Sequence, residues 1–141
     1  MRLEDIKKRA QLLDVAVSIT NTDLVPPGPT IVWCNDILLK MSGYTLRELV
    51  GNSPRIFQHP GCRDEETLDR LKKNLKNGEY FEGLMKNARK DNSMFYMHWC
   101  VRKLELEDGD YFVAVQRALE EPIVSKWDEL EGVIVQFFLS G

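Results

Sequence analysis

The second half of the chain constrains the fold most, because three successive runs alternate apolar and polar residues with a period of two. These runs are residues 80–87, 94–104 and 111–116, and such alternation is typical of β-strands. The connecting segments, 90–93 and 107–110, are short and rich in Asp, Asn and Gly, which favours tight hairpin turns. The sequence therefore predicts three consecutive antiparallel strands.

The first half predicts two more strands, at residues 15–20 and 30–34, followed by short helices and one longer helix with Asp64 in its first turn. Helices segregated against one antiparallel sheet make an α+β fold. We expect a five-stranded antiparallel sheet with short helices on one face and flanking helices at both ends. The predicted division is an N-terminal flanking helix (1–12), a central domain (13–119) and a C-terminal connector or amphipathic helix (120–141), whose end could also be a strand.

Composition limits the functional classes. The chain has 141 residues, is 43% hydrophobic, and carries a net charge of −3 without a basic run, so nucleic-acid and membrane-surface binding are disfavoured. No apolar stretch approaches the ~20 residues of a membrane span. Three widely spaced cysteines without a CxxC pair argue against a disulfide framework or zinc site, and favour a reducing cytoplasm.

Two amides, Asn87 and Gln116, fall where the strands should face inward. Strand parity puts Met97, Trp99 and Phe112 on that same face, so the predicted lining is mostly apolar and aromatic with a few amides, as in many small-molecule sites. The opposite face is too apolar to stand in water, and we expect the C-terminal helix or a second subunit to cover it; its residues are Tyr96, Cys100, Tyr111, Val113 and Val115.

Several motifs, in this order, resemble the PAS domain superfamily over residues 12–119. They are IVWCND at 31–36, MSGYTLRELVG at 41–51, NARKD at 87–91 and FVAVQ at 112–116. The resemblance implies the PAS fold and a sensory role.

Within the superfamily, the chain is most similar to the flavin-binding branch, the light-oxygen-voltage (LOV) domains and the FAD-binding redox sensors. The LOV signature Gly-x-Asn-Cys-Arg-Phe-Leu-Gln corresponds to GNSPRIFQ at 51–58. The resemblance implies that Arg55 and Gln58 hold the flavin side chain and ring edge. It also implies that Asn87 binds the ring and that Gln116 senses its reactive nitrogen.

Three positions depart from the LOV pattern. Pro54 replaces the photoactive cysteine, Ser53 the preceding Asn, and Met97 the second ring-facing Asn. The usual thioether photocycle should therefore be absent, whereas binding of FMN or FAD is expected to remain, because the cysteine reacts with the ring without holding it. The implied cofactor site comprises Ser53, Pro54, Arg55, Gln58, Asn87, Met97, Trp99, Phe112 and Gln116.

Other interpretations stay open on sequence alone. Asn87 can bond local backbone, Gln116 can lie at a strand end in water, and Arg55 and Gln58 can merely fix an irregular segment. The domain could then be a ligand-free PAS module for dimerisation or partner docking. A haem site would need an axial histidine, for which His59 is the loop candidate.

No phosphate loop, nucleophile elbow or metal-spaced His/Glu pair is visible, so an enzyme is not expected. The chain is interpreted as the cytoplasmic sensory part of a longer signalling protein with a covalently linked output domain. We expect a homodimer through the outer sheet face and flanking helices, and contact with neither nucleic acid nor membrane.

Overall fold

The computed structural model describes residues 1–58, 61, 63–119, 132–134 and 138. The elements follow in the order α1 (Leu3–Gln11), β1 (Ala16–Thr20), β2 (Ile31–Cys34), α2 (Asp36–Ser42), α3 (Leu46–Leu49), a 3₁₀ helix (Pro54–Phe57), α4 (Glu65–Lys76), β3 (Phe81–Ala88), β4 (Met94–Leu106) and β5 (Gly109–Leu119). The described strands form one five-stranded sheet of order β2-β1-β5-β4-β3, with all neighbours antiparallel. The predicted α+β class and five-stranded sheet are confirmed.

The last strand is longer than the sequence pattern predicts. It pairs with β1 on one side and β4 on the other, and it continues to Leu119. Gln116 consequently lies inside the strand, where it pairs with Ala16 and Trp99. It does not lie at a strand end in water.

The buried side chain of Asn35 joins the start of the chain to the sheet. Its Nδ2 donates to the carbonyl oxygens of Ala10 (3.1 Å) and Val15 (2.9 Å). Its Oδ1 accepts from the backbone N–H groups of Val17 (2.9 Å) and Leu38 (3.1 Å). All four hydrogen-bonding positions of this amide are therefore used, and they fix α1, β1 and α2 relative to one another.

The outer sheet face, meaning the face away from α2, α3 and α4, is covered within the chain. Ile6 and Ala10 of α1 belong to the same buried cluster as Cys100, Val113 and Val115 on this face. The described C-terminal residues of this cluster are Ile134 and Phe138. Part of the cover is thus supplied by α1, which the sequence did not indicate for this role. Most of the predicted 120–141 segment, including Trp127, Leu130 and Phe137, lies outside the described residues.

The inner face carries the short helices. The turn between β3 and β4 is fastened to them: the backbone N–H of Lys90 donates to the carbonyl oxygen of Ser42 (3.0 Å), and Arg89 Nε donates to that of Met41 (3.0 Å). Lys90 Nζ also forms an ion pair with Glu48 at 2.6 Å. The C-terminal end of β3 and the N-terminal end of β4 are thereby held over the inner face.

Within the described residues, no helix has the length and apolar composition that crossing a lipid bilayer requires. Nor do the described His, Cys, Asp and Glu side chains form a group of three or more placed to hold a metal ion.

The Asn35 hydrogen bonds make a stability prediction. Asn35→Ala should lower the free energy of unfolding by about 3 kcal/mol, because it removes the partners of the Val17 and Leu38 N–H groups and of the Val15 carbonyl. The Ala10 carbonyl keeps a bond from the backbone N–H of Leu13 (3.2 Å). Urea unfolding measures this loss. The control is Asn52→Ala, which removes one exposed bond to the carbonyl oxygen of Glu48 (2.7 Å) and should cost less than about 1 kcal/mol. Similar losses in both variants would contradict the assignment.

Candidate functional site

An inner cavity of about 90 Å³ lies between the inner sheet face and the helices. Strand residues supply one wall, as parity predicts, and α4 with the 3₁₀ helix supplies the other. The predicted site residues in its lining are Pro54, Gln58, Asn87, Met97, Trp99, Phe112 and Gln116. The sequence analysis missed Ser18, Thr20, Pro29, Phe57, Leu68, Leu71 and Leu75.

An outer pocket of about 240 Å³ adjoins this cavity. The two share Pro29, Pro54, Gln58, Leu68, Leu71 and Leu75 in their linings, so together they form one hollow that leads outward. The outer pocket also contains the predicted residues Ser53 and Arg55. Arg55 is exposed here and does not line the inner cavity, so the structure separates it from Asn87 and Gln116, which line only that cavity.

The outer pocket is charged. Its lining includes the cations of Arg55, Arg63 and Lys72 and the carboxylates of Glu65 and Asp69. Arg63 forms an ion pair with Glu65. Arg55 and Lys72 form no ion pair with another described residue, which leaves two cationic groups for an anion.

Two amide oxygens in the inner cavity lack partners among the described residues. Asn87 is 2% exposed, and its Nδ2 donates to the sulfur of Met97 at 3.3 Å, a weak acceptor. Its Oδ1 and the Oε1 of Gln58 are buried without a hydrogen bond. The side chain of Asn87 therefore makes no hydrogen bond to nearby backbone. The side-chain oxygen of Gln58 likewise makes no bond that would hold its own irregular segment in place. Buried unpaired acceptors are costly, which points to a ligand with N–H groups.

Gln116 has a partner inside the protein. It is 3% exposed, and its Nε2 donates to the hydroxyl oxygen of Ser18 at 2.9 Å. This bond joins β5 to β1 across the cavity wall. It orients the amide of Gln116 without using all of its hydrogen-bonding positions.

The position of Trp99 in the cavity wall depends on a neighbouring glycine. Gly83 of β3 pairs with Trp99 of β4, and a Cβ atom at Gly83 would come within 2.5 Å of the Phe81 ring. The missing side chain lets this ring pack on the indole, with centroids 5.0 Å apart. The guanidinium group of Arg70 also lies over the Phe81 ring, 4.6 Å from its centroid.

The helical wall is built by local capping. Asp64 caps α4 and accepts from the backbone N–H (3.0 Å) and hydroxyl (2.7 Å) of Thr67. Both hydrogen bonds lower the pKa of Asp64, and the bond from the Thr67 hydroxyl contributes more than the bond from its backbone N–H. Ser53 caps the 3₁₀ helix, where its Oγ accepts from Arg55 N–H (3.2 Å), and Pro54 occupies the first position, which suits a residue without an N–H.

No described cysteine lines the hollow. Cys34 is buried beside α2, and its burial raises the pKa of the thiol to about 12. Cys100 lies in the cluster on the outer sheet face. Cys62 lies outside the described residues. So does His59, the candidate axial ligand of a haem. His98 does not line the hollow either, and its Nδ1 accepts from Arg117 Nε at 3.1 Å.

Comparisons with known proteins agree with the fold. A family model described as "PAS domain" matches residues 14–119. Phototropin-1A of Oryza sativa subsp. japonica is 28% identical over 121 residues, which are 86% of this chain and 13% of that protein. The chain thus spans about an eighth of this relative.

Two solved structures are also similar. The LOV domain of the blue-light activated histidine kinase from Erythrobacter litoralis EL346 has a TM-score of 0.67 and 27% identity, covering 77% of this chain and 99% of that one. A light-oxygen-voltage domain studied with a flavin analogue has a TM-score of 0.70 and 25% identity, covering 92% of this chain and 90% of that one.

The unpaired oxygen of Asn87 makes a prediction for the ligand-free protein. Asn87→Leu should raise the free energy of unfolding by about 1 kcal/mol, because it removes a buried acceptor that has no donor. The matched Gln116→Leu should lower it by about 1 kcal/mol, because that amide is hydrogen-bonded. Denaturant unfolding of both variants measures the difference. Destabilisation by both would show that the Asn87 oxygen has a partner.

Proposed function

This chain belongs to the PAS domain family, and we propose that it is a sensory module that binds a flavin in the hollow described above. The observation that carries the proposal is the pair of buried, unpaired amide oxygens on Gln58 and Asn87 in a cavity with an aromatic wall. PAS and LOV domains typically belong to larger signalling proteins, and the relatives with LOV domains support a sensory role here.

The chemistry of the amides fits the polar edge of an isoalloxazine ring. That edge has one N–H donor between two carbonyl acceptors, beside a further ring nitrogen. The oxygens of Gln58 and Asn87 can accept from the N–H, and their NH₂ groups can donate to the carbonyls. The apolar walls, which include Trp99 and Phe112, suit the flat ring faces.

The size and charge of the hollow favour FMN. Inner cavity and outer pocket, of about 90 and 240 Å³, together reach the lower end of the roughly 300–1,000 Å³ range of ligand sites. The outer pocket has the cations of Arg55 and Lys72 for a phosphate. We propose that the ring occupies the inner part and that the phosphate lies in the outer part.

A bound flavin supplies blue-light absorption and a ring nitrogen that changes from hydrogen-bond acceptor to donor on reduction. Gln116 can answer that change, because its amide presents either an NH₂ group or an oxygen after rotation. We propose that Gln116 is the sensing residue, and that Pro54 in place of a thiol leaves signalling without a covalent bond to cysteine. Redox state and blue light are both inputs of such a site.

A ligand-free docking module is the second candidate. The small inner cavity and the contact between Asn87 and the sulfur of Met97 favour it, because methionine fills gaps well. The unpaired oxygens and the cover of α1 over the outer sheet face argue against it.

For the flavin-binding module, the proposed context is a cytoplasmic homodimer with a linked output domain.

Flavin uptake tests the proposal directly. Protein expressed with added riboflavin and purified should be yellow and should bind FMN, as measured by visible absorbance and fluorescence quenching. Asn87→Leu should weaken FMN binding at least about tenfold, because it removes a bond to the ring. Gln11→Leu, on α1 across the sheet, should leave affinity unchanged. A folded, colourless protein that takes up no flavin would support the docking module.

The phosphate position makes a separate prediction. Arg55→Ala and Lys72→Ala should each weaken FMN binding about threefold to tenfold, because each removes an exposed charge-assisted contact. Binding of riboflavin, which lacks the phosphate, should stay the same. Arg47→Ala, on the exposed side of α3, is the matched control. Equal losses for FMN and riboflavin would contradict a phosphate in the outer pocket.

A further inference from the structure

Ser18 lies in the middle of β1, and its side chain is part of the cavity lining. It is 4% exposed and pairs with Ala114 of β5, while Gln116 pairs with Ala16. Ser18 and Gln116 are therefore diagonal neighbours on the inner face, a spacing that long side chains can bridge. The 2.9 Å bond from Gln116 Nε2 to Ser18 Oγ bridges it.

We infer that Ser18 is a positioning residue that holds the Gln116 amide in either of two orientations. A hydroxyl group both donates and accepts. Ser18 accepts from the Gln116 NH₂ group as observed, and after the amide rotates it donates to the Gln116 oxygen. This inference rests on the proposed function, because a flavin that changes from acceptor to donor is what requires two orientations.

The hydroxyl of Thr20, the next residue on the inner face of β1, already donates a hydrogen bond. Thr20 also lines the cavity, but its Oγ1 donates to the carbonyl oxygen of Asn21 at 2.9 Å. The hydroxyl hydrogen of Ser18 has no acceptor among the described residues, because the observed bond uses the Ser18 oxygen as the acceptor. Ser18 is thus free to reverse its role, whereas Thr20 is a control for the loss of a buried hydroxyl.

A group that could only donate or only accept would favour one orientation of Gln116. After rotation, the amide would face it with a like group, and a buried polar atom would be left unpaired. The serine hydroxyl avoids this bias because its hydrogen can turn. The two orientations then differ mainly through their contacts with the ligand.

The first test uses the ligand-free protein. Ser18→Ala should accelerate hydrogen exchange of the Gln116 side-chain amide about tenfold, because the amide loses its acceptor. Thr20→Val should change this rate less than about twofold, since Thr20 is bonded elsewhere. NMR of ¹⁵N-labelled protein measures both. An unchanged rate in Ser18→Ala, or an equal increase in Thr20→Val, would overturn the inference.

The second test asks whether the Ser18 hydroxyl donates to an oxygen at position 116. In the Gln116→Glu variant, a donor beside the new carboxyl group favours its ionised form. Its acid dissociation constant should be about tenfold higher with Ser18 present than in the Ser18→Ala/Gln116→Glu double variant. A ¹³C NMR titration of the carboxyl carbon measures this. Equal constants would overturn the inference.

The third test uses FMN-loaded protein in its oxidised and chemically reduced forms. Ser18→Ala should weaken FMN binding by a similar factor, about fivefold, in both forms. A loss confined to one form would show that Ser18 serves one orientation, and would overturn the inference. If the native chain takes up no FMN, the proposed function fails, and the two tests on ligand-free protein decide the role of Ser18.

Discussion

The buried amide of Asn35 is the interaction on which the rest of the structure depends. Besides its four side-chain bonds, its backbone N–H donates to the carbonyl oxygen of Val17 at 3.0 Å. The end of α1, the start of β1 and the first turn of α2 therefore meet at a single residue. A fully satisfied buried network of this kind specifies one arrangement of its elements. The position of β1, and with it Ser18 in the cavity wall, follows from that arrangement.

Asn87 is the same residue type in an opposite condition. Both side chains are buried, but Asn35 uses every donor and acceptor, whereas Asn87 leaves its oxygen unpaired and gives its NH₂ group to a sulfur atom. The Asn35 amide therefore stabilises the native state, whereas the unpaired oxygen of Asn87 destabilises it. A buried unpaired group of this kind is retained only where the rest of the core is stable enough to offset its cost. Such groups are common at the sites where proteins bind ligands.

Much of the fold and part of the site could be predicted from sequence because strand periodicity is a local property. Alternation alone puts Met97, Trp99 and Phe112 on the inner face, and the structure confirms their place in the cavity lining; their role toward a ligand stays a prediction. The bond between Ser18 and Gln116 could not be predicted, because it joins residues 98 positions apart.

The part of the cavity wall that α4 supplies was missed for a different reason. Leu68, Leu71 and Leu75 have the spacing of any amphipathic helix, so nothing in the sequence distinguishes a cavity wall from ordinary core. The 3₁₀ helix likewise turns Arg55 to the outer pocket while Gln58 reaches the inner one, a separation that depends on the backbone path.

The cover of α1 over the outer sheet face has a consequence for how a change at the inner face would spread through the domain. Val17 and Ile19, on either side of Ser18, share a buried cluster with Ile6 of α1 and with Ile134. A single layer of strand separates the hollow from α1 and from the described C-terminal residues of that cluster. A shift of β1 would therefore change the packing of α1 and of Ile134 together, so that one event at the inner face would reach both ends of the domain at once.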